Sequence, residues 1–312
     1  LDGATAGAYM SSPSPQAGYS DMYYPGSETH TGIKENRFTS VAKDPLSTFA
    51  LEVDVASYGN VRRMLNLGQM PDADAVRVEE FVNYFSYDYP KATGKEPVRV
   101  NYEVAQCPWN EKHQLVRIGV KAKEIATEEM PGTNFVFLID VSGSMYGRLE
   151  LVQSSMKLLV NNLRKKDRVS IVTYASGVRL ALPATSGSDK QKIREALDML
   201  TAGGGTSGAA GIQLAYKTAR ENFIDGGNNR IILATDGDFN VGASSPEELQ
   251  KLIETERKSG VFLTVLGYGM GNYRDDMMQP LAEKGNGNYA YIDTLQEANK
   301  VLVNEFGGTM YT

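Results

Sequence analysis

Five oxygen-bearing side chains in three short glycine-containing segments carry the chemistry of this sequence. Asp140-Val141-Ser142-Gly143-Ser144 follows an apolar run at 135–139, which places a carboxylate and two hydroxyls at the carboxyl end of an expected strand. Gly143 is expected to let the backbone turn sharply, so that Asp140, Ser142 and Ser144 converge on one point. Gly203-Gly204-Gly205-Thr206 opens a helical pattern, and Thr235-Asp236-Gly237 ends another apolar run; Thr206 and Asp236 would complete a shell of five protein ligands. Carboxylates diluted by neutral hydroxyls make a hard, weakly charged oxygen set. Such a set suits Mg²⁺, with Mn²⁺ or Ca²⁺ as alternatives, and not zinc, which prefers nitrogen and sulfur. An Asp that ends a strand before small residues is often only a turn or a helix cap. The metal reading therefore rests on the three segments together.

The elements that must position these residues follow from hydrophobic periodicity. After Gly132 short apolar runs alternate with amphipathic segments, the pattern of a mostly parallel sheet covered on both faces, hence an α/β fold class. Strands are expected at 134–140, 168–174, 230–236, 261–267 and 288–292, with 177–182 turning back as an antiparallel edge strand to give six. Val152, Met156, Leu159 and Leu163 form one helical stripe. Ser245, Pro246, Glu247 and Glu248 start another helix as N-cap, first residue and acidic first turn, and Gly260 ends it. Ligands of open α/β sheets bind at the carboxyl ends of the strands, where Asp140 and Asp236 fall.

Upstream, residues 1–33 contain no Val or Ile before Ile33, and Gly, Ser, Pro and Thr dominate, with Tyr9, Tyr19, Tyr23 and Tyr24 interspersed; this segment reads as a flexible tether. Residues 34–132 read as a small α+β accessory subdomain. It carries a strand at 48–53, a helix at 57–67 that stops at Gly68, and a helix after Asp74 with Val78, Phe81, Val82 and Phe85 at helical spacing. Two half-buried strands, 98–104 and 115–121, are expected to join through Cys107, Pro108 and Trp109. Residues 133–305 form the α/β domain and 306–312 a tail; the start at Leu1 suggests a trimmed or processed product. With 32 basic and 38 acidic residues the net charge is −6, which argues against the basic face that nucleic-acid binding needs. No apolar run reaches the ~18 residues of a membrane span. Cys107, the only cysteine, excludes an intramolecular disulfide and a cysteine-based zinc site.

Phe137 to Met145, Gly204-Gly205-Thr206 and Leu233 to Gly237 resemble the three loops of the metal-ion-dependent adhesion site of von Willebrand factor A domains. The resemblance implies a Rossmann-like, doubly wound fold and names Asp140, Ser142, Ser144, Thr206 and Asp236 as metal residues. Asp54 to Arg63, Val76 to Glu80 and Thr235 to Gly242 further resemble bacterial von Willebrand A proteins of the YfbK type. Those often carry an envelope or lipoprotein signal, which implies an extracytoplasmic setting, a lipid anchor upstream, and a further C-terminal region.

The expected function is a binding module, not an enzyme, in which a protein partner's Asp or Glu displaces water from Mg²⁺. Two alternatives stay open: a metal-dependent hydrolase or phosphotransfer enzyme, and a scaffold with a structural ion. Against catalysis, there is no P-loop lysine pattern, and His30 and His113, the only histidines, are expected in solvated segments. Asp238 adds a carboxylate near the third segment and is read as solvated. Gly267, Gly269 and Gly271 lack the spacing of a dinucleotide fingerprint and are read as a flexible loop over the cleft rim.

Overall fold

The computed structural model describes residues 28–34, 36–48, 53–92, 96–123, 129–238, 245–271 and 273–305. The expected strand core at 49–52, the four tether tyrosines, residues 239–242 and the 306–312 tail lie outside the described residues. In chain order the elements are α1 (Ala56–Asn66), α2 (Val78–Tyr84), β1 (Val98–Gln106), β2 (Gln114–Ala122), β3 (Thr133–Asp140), α3 (Leu149–Asn161), β4 (Arg168–Tyr174) and β5 (Val178–Ser186). Then follow α4 (Lys190–Asp198), α5 (Gly208–Glu221), β6 (Asn228–Thr235), α6 (Pro246–Glu256), β7 (Val261–Gly267), α7 (Asp275–Lys284), β8 (Tyr289–Tyr291) and α8 (Leu295–Asn299). No helix among the described residues is long and apolar enough to cross a membrane.

Six strands form one sheet in the order β5-β4-β3-β6-β7-β8, all parallel except β5, which pairs antiparallel with β4 at the edge as its turn signal predicts. β3 is buried along its whole length because both faces are covered. Alternation sends Phe135, Phe137 and Ile139 to one side, against Val152, Met156 and Leu159 of α3. Val136 and Leu138 go to the other, against Ile212, Ala215 and Tyr216 of α5. The expected α3 stripe is thus the face that seals the first layer. The start of α6 forms a capping box: Ser245 Oγ accepts from Glu248 N at 3.3 Å, and Glu248 Oε2 accepts from Ser245 N at 3.1 Å.

The chain leaves β3 to one side through α3 and β4 and returns to the other side through β6. The neighbours β3 and β6 therefore flank the point where the winding reverses, and the crevice at their carboxyl ends is where such sheets bind ligands.

The accessory region is attached through ion pairs as well as through Val55 and Ala56, which pack into the apolar clusters of the α/β domain. Arg77 donates to both oxygens of Asp275 at the start of α7, at 2.5 and 3.2 Å, and to Glu80 through Nε; all three side chains are at most 6% exposed. Glu80 also accepts from Ser57 N at 2.7 Å, and Tyr289 OH donates to Asp275 at 2.9 Å. Arg62 of α1 reaches Asp293 at 2.6 Å and Glu297 at 2.9 Å. Asp54 and Val55 continue onto the free edge of β8, with Tyr289 N donating to Asp54 Oδ1 at 2.8 Å.

Three expectations need correction here. Of the apolar positions of α2, Phe81 packs against Val61, Met64 and Ala75, but Val78 is 67% exposed and Val82 52%, because the neighbouring inward position is taken by Glu80, which Arg77 and Ser57 require. The β1–β2 hairpin is not half-buried either. Its register gathers Val98, Val100, Tyr102, Val104, Val116 and Ile118 on one face, and Tyr102 remains 79% exposed. His30 is not solvated: its side chain is 5% exposed and Nδ1 lies 3.6 Å from Asp275, while Thr29 bridges Arg274.

Burial opposes ionisation of Asp275, but the hydrogen bonds and positive charge of His30 and Arg77 outweigh it and hold its carboxyl below the ordinary 3.8. A carboxylate whose folded value is depressed stabilises above its unfolded value and loses that contribution as pH falls through the folded one. The protein is therefore expected to lose stability below about pH 4, and this acid limb should shrink in Arg77→Met, in urea melts read across pH. At neutral pH the same substitution leaves Asp275 and Glu80 buried without their cation, and should cost about 3–5 kcal/mol in the same melts.

Candidate metal centre

Asp140 is the last residue of β3 and Asp236 the first after β6, and both side chains are fully buried. Parallel pairing of Ile139 with Ala234 brings the two strand ends level. Asp140 is held at both oxygens: Ser142 N donates to Oδ1 at 2.9 Å and Thr235 Oγ1 donates to Oδ2 at 3.1 Å. The first loop then enters a short 3₁₀ turn, Gly143–Met145, which places the hydroxyls of Ser142 and Ser144 3.1 Å apart. Gly143 serves here by smallness and not by a left-handed conformation. Its N–H donates to the Gly204 carbonyl at 3.0 Å, and a Cβ would sit 3.3 Å from that oxygen.

The second loop is laced in on both sides. Gly203 N donates to the Val141 carbonyl at 2.8 Å, and Gly205 N donates to Ser176 Oγ at 2.6 Å, where the chain turns from β4 to β5. Thr206 is half-buried on this loop, ahead of α5. The structure thus brings all three predicted segments to one cleft. It also adds residues the sequence reading missed: Thr235, which orients Asp140; Ser176, which anchors the glycine loop; and Arg148. Arg148 Nη1 lies 3.4 Å from Asp236 Oδ2 and donates to the Ser144 carbonyl at 2.6 Å. A basic residue four positions after Ser144, at the start of the next helical stripe, was the available signal for it.

Electrostatics favour a cation. Burial, chiefly, raises the Asp140 carboxyl to about 6; the nearby charge of Asp236 adds to this, and hydrogen bonds from Ser142 oppose it. A divalent ion would supply positive charge here, and two carboxylates with neighbouring hydroxyls fit a hard cation. Among the described residues no three His, Cys, Asp or Glu side chains converge, so a cation here would need hydroxyls among its donors. Asp238 is half-buried and not fully solvated as expected: its N–H donates to Asp236 at 3.1 Å, and burial followed by the Asp236 charge raises its carboxyl. The glycine segment after β7 is pinned, not loose, for Tyr268 N donates to the Thr235 carbonyl at 2.7 Å and Gly271 N to Glu28 at 2.6 Å.

Comparison with known proteins agrees with this architecture. A von Willebrand factor type A domain model matches residues 134–305, and a second model, described as von Willebrand factor, matches residues 24–117. The chain is 49% identical over 297 residues to the uncharacterized protein YfbK of Escherichia coli, covering 92% of this chain and 52% of that protein. It is 30% identical over 220 residues to the magnesium-chelatase 67 kDa subunit of Chlorobaculum tepidum, covering 61% of this chain and 35% of the subunit. The chain thus spans about half the length of the first relative and about a third of the second. Among solved structures, the von Willebrand factor type A protein of Catenulispora acidiphila aligns with a TM-score of 0.49 at 18% identity, over 68% of this chain and 50% of that one.

Ionised Asp140 is a burden on the ion-free fold, since a carboxyl raised from 3.8 to about 6 ionises in the unfolded chain first. Without divalent ions, stability should fall as pH rises from about 4 to 6. Asp140→Asn should remove that slope and stabilise the chelator-treated protein at pH 7 by roughly 1–3 kcal/mol in denaturant melts. An unchanged slope in the variant would show that Asp140 is not the strained group.

Proposed function

The chain belongs to the von Willebrand factor type A family, and from that premise we propose that its three-loop cleft is a divalent-metal-dependent protein-binding site. The observation that carries the reading is the meeting of Asp140, the Ser142 and Ser144 hydroxyls, the Gly203-to-Thr206 loop and Asp236 at the reversal of the winding. Asp140, Ser142, Ser144, Thr206 and Asp236 would hold the ion, Mg²⁺ by the hardness of the donors. Mg²⁺ takes about six oxygens, so five protein ligands at most leave a position for water or an incoming group. When bound, the ion offers that position as an electrophile to a carboxylate oxygen of a partner.

The protein's own part is preorganisation. Ser142 N and Thr235 Oγ1 fix both oxygens of Asp140. The backbone bonds from Gly143 to Gly204 and from Gly203 to Val141 set the first two loops at a constant separation. Because the donor shell holds few negative charges, a partner's Asp or Glu meets net positive charge and gains a charge-assisted contact. An extracytoplasmic site of action accords with the YfbK-type likeness and belongs to the same proposal.

Calorimetric titration with Mg²⁺ and Mn²⁺ is expected to give saturable binding that Asp140→Ala abolishes, and a Glu-containing peptide should bind only with metal present. Thr206→Ala should lose the peptide while its urea midpoint moves by less than about 0.5 kcal/mol equivalent. A marked loss of stability in that variant would point instead to a structural ion, and a flat Mg²⁺ titration of the unaltered protein would remove the reading.

A further inference from the structure

Arg148 joins three segments that no other side chain described above connects. Its Nη1 donates to the Ser144 carbonyl at 2.6 Å and lies 3.4 Å from Asp236 Oδ2, and its Nη2 donates to the Met270 carbonyl at 2.5 Å. The guanidinium therefore ties the first and third loops of the cleft to residues 268–271, which carry none of the five candidate ligands. Residues 268–271 lie directly on Asp236: Gly269 has φ +149°, and a Cβ there would come within 2.9 Å of Asp236 Cβ. Tyr291 OH donates to the Gly269 carbonyl. Gly271 N donates to Glu28 Oε1 at 2.6 Å, and Glu28 Oε2 accepts from Arg63 of α1 at 2.7 Å.

We propose that Arg148 is the internal counter-charge of Asp236 in the ion-free protein, and the residue that relays ion binding from the cleft to residues 268–271. The inference rests on the ion-site reading and names a regulation of that same site. Its physical basis is competition between like charges. A guanidinium and a divalent cation both seek Asp236, and the observed Nη1–Oδ2 contact is long, weaker than the two-toothed Arg–carboxylate geometry. The contacts of Arg148 with the two carbonyls are short. Arg148 thus gives up Asp236 more readily than it gives up Ser144 or Met270. A guanidinium repelled from the cleft while still bonded to Met270 pulls on the segment that Glu28 holds, and through Glu28 on α1. This is a differential contact between two occupancy states, which is what coupling requires.

The test uses the whole chain with MgCl₂ alone as probe. Arg148→Met, with the like charge removed, should bind Mg²⁺ roughly threefold or more tightly than the unaltered protein in calorimetry. Hydrogen exchange at the Gly271 amide should change on Mg²⁺ addition in the unaltered protein and stay unchanged by Mg²⁺ in the variant. Arg148→Lys keeps the charge but not the fork. It should retain the weaker affinity and lose the Mg²⁺-dependent exchange, and it serves equally if the methionine variant folds poorly. Equal or weaker Mg²⁺ binding by Arg148→Met, with binding by the unaltered protein intact, overturns the inference and leaves the ion site standing. The same Mg²⁺ response of Gly271 in all three proteins overturns the relay. Flat titrations of both the unaltered and the methionine protein remove the site and the inference together.

Discussion

Asp140 and Asp236 end neighbouring parallel strands inside a water-poor cleft, and placing two carboxylates there constrains everything around them. Each must be given donors or a cation. Asp140 receives a backbone N–H and a threonine hydroxyl, and its carboxyl still rises to about 6. Asp236 receives the Asp238 N–H and the edge of the Arg148 guanidinium. The loops are consequently short, laced to each other through backbone bonds, and built from residues small enough to pass within van der Waals contact. Burial of the two carboxylates is what makes this end of the sheet favour positive charge, and Arg148 supplies part of it.

The sheet makes the arrangement possible. Reversal of the winding beside β3 leaves the carboxyl ends of β3 and β6 uncovered by a crossover, while α3 on one face and α5 on the other bury the strands themselves. Asp140 and Asp236 therefore stand at the ends of strands buried on both faces. The N-terminal region contributes by a different route. Arg62 and Arg77 meet acidic partners of the α/β domain across the junction and Arg63 meets Glu28, so α1 and α2 are docked by directional ion pairs beside the apolar contact of Val55 and Ala56 with the core. Such contacts specify one mutual orientation, because a misplaced guanidinium leaves a buried carboxylate unmatched. The same region leaves the apolar face of the β1–β2 hairpin open among the described residues.

Much of this was legible in the sequence, and for local reasons. The strand order of hydrophobicity, the α3 stripe, the Ser245 N-cap and the antiparallel return of β5 all follow from periodicity and turn chemistry acting within about ten residues. The three loop motifs and the five candidate ligands could be named because each lies beside a strand end or helix start that the sequence itself marks. What stayed hidden depended on partners distant in the chain. Val78 and Val82 looked like core residues, but Glu80 takes the inward position because it answers to Arg77 and Ser57. His30 looked solvated, but it packs on Asp275, far along the chain. The glycines after β7 looked loose, but Tyr291, Glu28 and Arg148 hold them from three directions. The sequence by itself determined the fold class and the chemistry of the donors, since both arise from side-chain type and short-range spacing. Only the tertiary structure decided which charges meet, because burial and ion pairing are properties of the space between elements and leave no periodic trace along the chain.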